Sequence, residues 1–372
     1  MDLSMNKKIT VTQPLLPPLE EYLPYLQQIW KNKHITNQGP FHEELEDKLC
    51  DYLGVEYISL FANGTIALLV AIKTLELKGE IITTPYSFVA SSHVITWNNI
   101  NPVFIDIESS TCNLNPGLIE EAITESTSAI LPVHVYGNPC NIEKIADIAE
   151  KNNLKIIYDA AHAFGVKVNG DSIMNSGDLS VLSFHATKVF NTFEGGAIVS
   201  QTVEMKKKID DLKNFGILDE VTVEGIGING KMNEVQAAMG LLQLKYIDSA
   251  IEKRNKIAEI YREGLKGVDG IRFLDDMEGV KHNYAYFPIF INEREYGMCR
   301  DEVYEKLANK NIYGRRYFYP LISQFSTYKG LPSAKAENLP VAVKTSGEII
   351  CLPIYPDLDN GDVERIIEIL KA

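Results

Sequence analysis

Short apolar runs alternate with amphipathic stretches along the chain as far as residue 199. Short runs of this kind are typical of buried strands, and apolar positions three or four residues apart are typical of helices. The alternation predicts an α/β fold with a mostly parallel, mixed sheet flanked by helices. The predicted helices include 19–30 and 65–75, and the predicted strands are 57–61, 81–83, 102–105, 129–133, 155–158, 181–184 and 197–199.

The pattern changes at about Glu234, where a helical stretch begins that continues towards Leu265. Beyond it, strands and helices alternate again, with predicted strands at 284–291, 313–316 and 349–352. A chain of 372 residues is long enough for two lobes. We therefore expect a large domain over residues 1–250 and a smaller C-terminal α/β domain over residues 251–372.

Composition narrows the class of protein further. The formal net charge of -14 argues against a nucleic-acid or membrane-surface partner, because polyanions would be repelled overall. The five cysteines stand singly, which predicts a reducing compartment and no metal site. No apolar run is long enough to span a bilayer, so we expect a soluble, cytoplasmic protein.

Two residues at predicted strand ends suggest specific chemistry. Lys188 follows the strand at 181–184, and Asp159 closes the strand at 155–158. A lysine amine condenses with an aldehyde, and a carboxylate opposite a pyridine nitrogen keeps that ring protonated. The pair points to pyridoxal 5'-phosphate (PLP) held as a Schiff base. The competing interpretations are an exposed surface lysine and a helix N-cap aspartate.

Nearby residues are candidates for the rest of a PLP site. Gly64 and Thr65 open a predicted helix, where free backbone amides attract a phosphate, although a plain turn and N-cap has the same pattern. Ser183 ends a strand, where ligands of α/β sheets collect. Phe88 could stack on the ring or pack in the core, and His162 could contact a ring oxygen or be structural.

These motifs occur in an order that resembles the DegT/DnrJ/StrS-type nucleotide-sugar aminotransferases. The likeness runs from residue 35 to residue 353. It implies a fold-type I PLP-dependent transferase that works as a homodimer with shared active sites. The motifs are Asn63-Gly64-Thr65, Pro85-Tyr86-Ser87-Phe88, Asp159-Ala160-Ala161-His162, Ser183-Phe184-His185-Ala186-Thr187-Lys188, Glu194-Gly195-Gly196 and Gly227-Ile228-Asn229-Gly230-Lys231-Met232.

The resemblance assigns a role to each matched position. It makes Lys188 the Schiff-base lysine and proton carrier, and Asp159 the partner of the pyridine nitrogen. The other implied cofactor contacts are Phe88 on the ring, Gly64, Thr65 and Ser183 on the phosphate, His162 on the ring hydroxyl side, and Asn229 on the phosphate of the neighbouring subunit's cofactor.

Two positions depart from the usual family pattern. Lys231 stands where arginine is common, and Phe193 stands where glycine is common. Neither departure touches the chemistry. A sister group of dehydratases has histidine at the lysine position, so Lys188 favours transamination.

Candidate substrate contacts lie mainly in an Arg-Arg-Tyr-Phe-Tyr-Pro run. Guanidinium groups suit a diphosphate and aromatic rings suit a sugar or base, although a solvated strand edge has the same composition. The expected substrate-binding residues are His185, Lys231, Arg315, Arg316, Tyr317 and Tyr319.

Within the family, the chain looks most like the branch that aminates dTDP-4-keto-6-deoxy-D-glucose. L-Glutamate is the implied amino donor, and the implied product, dTDP-4-amino-4,6-dideoxy-D-glucose, is a precursor for surface polysaccharide. A 3-keto-sugar aminotransferase of the same family is one alternative, because residue types do not fix which way round the sugar lies. A non-catalytic regulatory relative is another, and the presence of both Lys188 and Asp159 favours catalysis.

Overall fold

The structure is a computed structural model that describes residues 8–372 of the chain. Its helices are α1 (Leu19–Asn32), α2 (Pro40–Leu53), α3 (Gly64–Thr74), α4 (Ala90–Trp97), α5 (Ile119–Ala122), α6 (Ile142–Asn152), α7 (Val203–Leu212), α8 (Glu234–Leu244), α9 (Ile247–Leu265), α10 (Glu293–Tyr296), α11 (Arg300–Ala308), α12 (Pro340–Glu348) and α13 (Asn360–Lys371). Its strands are β1 (Ile9–Thr10), β2 (Tyr57–Phe61), β3 (Glu80–Thr83), β4 (Asn101–Phe104), β5 (Thr127–Leu131), β6 (Lys155–Asp159), β7 (Lys167–Val168), β8 (Asp171–Ser172), β9 (Leu179–Ser183), β10 (Gly196–Ser200), β11 (Ile271–Phe273), β12 (Val280–Lys281), β13 (Phe287–Ile291), β14 (Ile312–Tyr313) and β15 (Ile349–Leu352).

The largest sheet has seven strands in the order β2-β10-β9-β6-β5-β3-β4. Strand β10 runs antiparallel to both of its neighbours, and the other neighbouring pairs are parallel. All strands except β10 therefore end at the same edge of the sheet. This arrangement confirms the predicted α/β class, and it brings the loops after β2, β3, β6 and β9 together at the edge where ligands bind in such sheets.

The local sequence explains why these elements form. Strands β9 and β10 are almost wholly buried, as expected for apolar runs covered on both faces of a sheet. Helix α6 buries Ile145, Ile148 and Ala149, which are three and four residues apart, and Asn141 caps its first turn by accepting a hydrogen bond from Lys144 N. The strands and helices predicted before residue 200 are confirmed to within two residues at each end.

Two predicted strands beyond residue 280 are wrong in extent. The strand predicted at 284–291 begins only at Phe287, because the Tyr284 backbone has φ 51°, which an extended strand does not allow. The strand predicted at 313–316 ends at Tyr313. Beyond it Arg315 makes one isolated bridge, to Cys351, because the chain leaves the β1–β14 pair there. The strand predicted at 349–352 is confirmed as β15.

The C-terminal part of the chain contains an antiparallel sheet in the order β11-β13-β15. Its buried apolar cluster includes residues of α9, α11 and α13, and also Ile9, whose strand β1 pairs with β14. Residue 250 lies inside helix α9. The division of the chain at residue 250 stays a prediction. No helix within residues 8–372 is long and apolar enough to cross a membrane.

Candidate active site

A cavity of about 310 Å³ opens at the edge of the sheet where the parallel strands end. Its walls come from the loops after β2, β3, β6 and β9 and from the residues that follow β14. The predicted site residues that line it are Gly64, Thr65, Phe88, Asp159, His162, Ser183, His185, Lys188, Arg315 and Tyr317.

Lys188 stands in the loop after β9, where its backbone N donates a hydrogen bond to His185 O at 2.8 Å. Burial lowers the pKa of the Lys188 amine from 10.5 to about 8, and the Asp159 carboxylate partly opposes this shift. At pH 7.5 roughly a quarter of such an amine is neutral, against about one part in a thousand for an ordinary lysine. The amine is therefore prepared to act as a nucleophile and as a base.

Asp159 ends β6, and two donors fix its carboxylate. The hydroxyl of Ser91 donates to Oδ2 at 2.7 Å, and the backbone N of Ala161 donates to Oδ1 at 3.1 Å. Burial raises the pKa of Asp159, and these two donors together with Lys188 oppose the shift. A turn follows β6, so the helix N-cap alternative for Asp159 is wrong. A cation opposite this carboxylate would favour its ionised form.

His162 is held as a neutral hydrogen-bond donor. Its Nδ1 accepts from the backbone N of Tyr136 at 3.2 Å, so the ring proton lies on Nε2. Burial lowers the pKa of His162 well below its usual value, and Lys188 adds to this shift. The ring stacks on Phe318 with the ring centroids 5.9 Å apart. The ring thus has a fixed plane and a fixed tautomer at the cavity wall.

The start of helix α3 forms a site for an anion. Asn63 is the N-cap, and its side chain accepts a hydrogen bond from Ile66 N at 2.9 Å. The first backbone bond of the helix runs from Ala67 N to Asn63 O, so the amides of Gly64 and Thr65 precede the helical hydrogen bonds. A Cβ added to Gly64 would lie 2.9 Å from Cβ of Ser183, so glycine allows this helix to approach the end of β9. Amides, a hydroxyl and the helix dipole together suit a phosphate.

The set of side chains fits PLP. One cavity holds an amine with a lowered pKa, a buried carboxylate fixed by two donors, and an anion site at a helix N-terminus. Phe88 lies at the cavity wall with 59% of its surface exposed, which leaves a ring face for a flat ligand to cover. Small side chains at Ala90 and Ala161 leave room beside it.

A second cavity of about 310 Å³ adjoins the first. Phe88, Arg315 and Tyr317 line both cavities, whereas Arg316 and Tyr319 line the second one. The guanidinium of Arg316 bonds to Asp301 at 2.7 Å and lies over the ring of Tyr304, 4.6 Å from its centroid. The ring of Tyr319 lies under the guanidinium of Arg300, at 4.3 Å. The second cavity therefore combines the guanidinium groups of Arg315 and Arg316 with the partly exposed aromatic side chains of Phe88 and Tyr319.

Two predicted site residues line neither of these cavities. Lys231 donates from Nζ to Asn214 Oδ1 at 2.7 Å and lies over the ring of Phe215. Asn229 is exposed and pairs with Asn214 in an isolated antiparallel bridge. Within a single described chain, Asn229 therefore does not contribute to the cavity that holds Lys188.

Sequence reasoning missed several residues that shape the site. Ser91 lies three residues beyond the Pro85-Tyr86-Ser87-Phe88 motif and received no role, although its hydroxyl bonds to Asp159 and lies 3.0 Å from that of Ser87. Phe318 fell inside the Arg-Arg-Tyr-Phe-Tyr-Pro run without an assignment. Tyr136 and Tyr286 had no sequence signal, because their place beside His162 depends on how distant segments pack.

Comparisons with known proteins agree with this geometry. The family model of the DegT/DnrJ/EryC1/StrS aminotransferase family matches residues 19–371. The dTDP-4-amino-4,6-dideoxy-D-glucose transaminase of Shigella dysenteriae is 53% identical over 367 residues, which cover 99% of each chain.

Solved structures are similar along nearly the whole chain. DesI, crystallised in the presence of its TDP-sugar product, has a TM-score of 0.94 at 31% identity and covers 98% of this chain and 93% of its own. The PLP form of Spr1654 from Streptococcus pneumoniae has a TM-score of 0.90 at 26% identity, with 98% of each chain covered. These likenesses confirm the predicted fold class, the aminotransferase activity and the PLP cofactor. The chain belongs to the DegT/DnrJ/EryC1/StrS aminotransferase family.

Proposed function

We propose that the protein transfers the amino group of L-glutamate to C4 of dTDP-4-keto-6-deoxy-D-glucose, giving dTDP-4-amino-4,6-dideoxy-D-glucose. The observation that carries this proposal is the convergence of Lys188 and Asp159 on one cavity in a chain that is 53% identical to a transaminase of that name. A non-catalytic relative could lose Lys188 or Asp159, but both are present here. Lys188 is buried with a lowered pKa, and two hydrogen-bond donors hold the Asp159 carboxylate.

Lys188 and Asp159 divide the chemistry between them. Bound PLP supplies an electron sink that stabilises the negative charge left when a proton leaves the carbon next to the amine. The Asp159 carboxylate, held by Ser91 and Ala161, would keep the ring nitrogen of bound PLP protonated. With PLP bound, the Lys188 amine, whose pKa is lowered to about 8, would accept the proton that leaves the donor's α-carbon and would carry it within the site.

The remaining residues of the first cavity orient the reactants. At the start of α3, the phosphate of PLP would be held by the amides of Gly64 and Thr65 and by the hydroxyl of Ser183. Because Nδ1 of His162 already accepts a hydrogen bond from Tyr136 N, its Nε2 would be the donor to the hydroxyl side of a PLP ring. The exposed ring of Phe88 would stack on one face of the PLP ring.

The second cavity supports a nucleotide-linked substrate. Arg315 lines both cavities, so its guanidinium lies where a diphosphate would join a sugar near Lys188 to a nucleoside outside. Arg316 and the ring of Tyr319 line the outer cavity, where charge and aromatic faces suit the nucleotide. His185 is at the inner cavity, 3.6 Å from Glu194, and we assign it to the sugar.

Incubation of the purified protein with glutamate and with the dTDP-linked 4-keto and 3-keto sugars tests the proposal. We expect the 4-amino product by NMR, with formation of 2-oxoglutarate. A 3-amino product would replace the proposed regiochemistry, and no amination of either sugar would refute the substrate assignment. Alanine and aspartate in place of glutamate serve as donor controls, and equal rates with all three would refute glutamate as the specific donor.

We also propose that two copies of the chain form the working enzyme. The loop over residues 215–228 carries a series of exposed apolar side chains, among them Val221 at 90% exposure and Ile226 at 80%. Apolar surface of this extent in one loop is typical of a protein interface. Asn229 follows this loop directly and lies outside its own chain's cavity, as expected of a residue that serves the neighbouring site.

Mixing two inactive variants tests the shared site. A heterodimer has one Lys188→Ala subunit and one Asn229→Ala subunit. If Asn229 acts across the interface, one of the two sites combines the intact Lys188 of one subunit with the intact Asn229 of the other. Random exchange of subunits should then restore about a quarter of the wild-type activity. Absence of any recovery in confirmed heterodimers, or full activity of Asn229→Ala alone, would refute the role of Asn229 in the neighbouring site.

A further inference from the structure

Two buried tyrosine hydroxyls meet at one carbonyl oxygen behind the second cavity. Tyr86 and Tyr136 are 0% and 1% exposed, and their hydroxyl oxygens are 2.7 Å apart. The Tyr136 hydroxyl donates a short hydrogen bond to the carbonyl oxygen of Tyr317, and the Tyr86 hydroxyl lies 3.2 Å from the same oxygen. Burial raises the pKa of both phenols well above its usual value, so both stay protonated and able to donate.

Both tyrosines belong to the edge of the seven-stranded sheet. Tyr86 lies in the loop after β3, two residues before Phe88, and Tyr136 lies in the loop after β5. The backbone N of Tyr136 also bonds to His162 Nδ1. The tyrosines therefore stand on the same framework as the cofactor-binding residues.

The carbonyl that they hold belongs to the 315–320 segment, the residues Arg315 to Pro320 that run from β14 past both cavities. The ring of Phe318 in this segment stacks on Tyr136, with centroids 6.2 Å apart, and meets Tyr86 edge-on at 5.7 Å. Other hydrogen bonds to the backbone of the segment come from the side of the C-terminal sheet. Arg315 and Cys351 exchange backbone hydrogen bonds, and the Ser346 hydroxyl donates to Phe318 O at 3.0 Å.

The residues on either side of the Tyr317 carbonyl are those that line the proposed nucleotide cavity. Arg316 and Tyr319 line that cavity, and Arg315 and Tyr317 line both. Long side chains such as arginine gain binding energy only when the backbone that carries them is held in place. We expect a small displacement of the Tyr317 carbonyl to shift the side chains of this segment that line the cavities, which are those of Arg315, Arg316, Tyr317 and Tyr319.

We infer that Tyr136 and Tyr86 are positioning residues that fix the 315–320 segment against the sheet edge and thereby set the affinity for the nucleotide end of the substrate. This inference rests on the proposed function for the identity of the ligand. Neither hydroxyl bonds to Lys188 or Asp159, and the bond from Tyr136 to His162 comes from the backbone, so we expect the chemical step with glutamate to be nearly independent of the two hydroxyls.

The test uses Tyr136→Phe and Tyr86→Phe in the full-length, PLP-loaded protein. Phenylalanine keeps each ring in place and removes the hydroxyl. Loss of one buried hydrogen bond predicts roughly three- to tenfold weaker binding of dTDP by calorimetry, and a similar rise in KM for the nucleotide sugar. The rate of the glutamate half-reaction at saturating glutamate should change by less than about twofold.

Tyr261→Phe is the matched control. The Tyr261 hydroxyl donates to Pro353 O at 2.9 Å and is also fully buried, but its acceptor in the C-terminal core lies outside the 315–320 segment. This variant should lose a similar amount of stability and keep wild-type binding of dTDP. If Tyr261→Phe and Tyr136→Phe weakened dTDP binding equally, the effect would be one of general destabilisation, and the inference would be overturned.

Hydrogen exchange measures the position of the segment without any substrate. Amides of the 315–320 segment should exchange faster in Tyr136→Phe than in the wild type or in Tyr261→Phe. Ser346→Ala, which removes the bond to Phe318 O, should produce the same change from the other side. Unchanged exchange in both variants overturns the inference. Failure of the wild-type protein to aminate the sugar refutes the proposed function instead, because the exchange result does not depend on the substrate.

Discussion

Removal of the Ser91 hydroxyl should weaken the hold on Asp159 without touching a group that contacts substrate. Ser91 is fully buried, and its hydroxyl donates to Asp159 Oδ2 at 2.7 Å. Since that proton is committed to the carboxylate, the oxygen of Ser91 is free to accept from Ser87, whose hydroxyl is 3.0 Å away. Ser91→Ala removes the hydroxyl that connects Ser87 to the Asp159 carboxylate.

The size of the effect follows from the charge on the acceptor. A hydrogen bond to a charged group is worth about 1.5–3 kcal/mol, which corresponds to a factor of roughly 10 to 150. The backbone N of Ala161 still donates to the carboxylate in the variant, so we expect the lower end, about tenfold in kcat/KM. Burial already raises the pKa of Asp159, and the Ser91 hydroxyl opposes this by favouring the ionised form.

Loss of the hydroxyl therefore makes protonation of Asp159 easier. The acid limb of the kcat/KM profile for glutamate should move to higher pH, with the largest deficit at low pH and a smaller one as the pH rises. The visible absorbance of the bound cofactor should report the same change, because it depends on the protonation of the ring that Asp159 faces.

Ser92→Ala is the matched control for this measurement. Ser92 is also fully buried, and within residues 8–372 its hydroxyl has no hydrogen-bond partner. It should keep the wild-type profile. Superimposable pH profiles for the two alanine variants would refute the idea that Ser91 stabilises the Asp159 charge.

Three other sites give simpler tests. Lys188→Ala should lose the visible absorbance of the bound cofactor and at least about a thousandfold in turnover, and a fully active variant would contradict its assignment. In the apoprotein, the rate at which Lys188 captures PLP should rise with pH to a midpoint of about 8 and then level off, since the neutral amine is the nucleophile; a rate that still rises towards 10.5 would contradict the lowered pKa. Asp159→Ala should slow the glutamate half-reaction by about a hundredfold or more in stopped-flow absorbance, and an unchanged rate would exclude it as the partner of the ring nitrogen. Gly64→Ala should weaken PLP binding about tenfold in a titration, because its Cβ would lie 2.9 Å from Cβ of Ser183, whereas Gly347→Ala, with open space around the added Cβ, should bind like the wild type.

The sequence predicted those parts of the site that lie at the ends of buried strands. Asp159 and Ser183 close apolar runs whose ends are visible in the chain, and Gly64 opens a helix directly after another such run. Parallel strands end at one edge of a sheet, so these residues meet once the fold class is known. Lys188 follows within five residues of Ser183 and is carried to the same place.

The contacts made by side chains from distant segments could not be predicted in this way. Ser91 reaches Asp159 only because β3, β5 and β6 are consecutive neighbours in the sheet, and no local pattern fixes that order. The course of the 315–320 segment depends on hydrogen bonds with Cys351 and Ser346, which lie more than twenty residues further along the chain, and with Tyr86 and Tyr136, which lie far before it. The strand predicted at 313–316 ends at Tyr313, because from Arg315 onward the chain follows its tertiary hydrogen bonds with Cys351.

Burial causes the opposite pKa shifts of Lys188 and Asp159, and in both cases it lowers the folding stability of the protein without its cofactor. Burial favours the neutral form of each group, so it lowers the pKa of the amine and raises that of the carboxylate. The burial of Lys188 destabilises the fold more and more as the pH falls from 10.5 to about 8, because the amine becomes charged. The burial of Asp159 destabilises it as the pH rises above 3.8, because the carboxyl group ionises. Near neutral pH the cavity without its cofactor therefore bears both costs. PLP would remove both penalties, because its aldehyde would react with the Lys188 amine and its ring cation would pair with the Asp159 carboxylate. We therefore expect PLP to stabilise the fold as it binds. The burial that destabilises the cavity without its cofactor is thus the same feature that makes Lys188 a nucleophile at neutral pH.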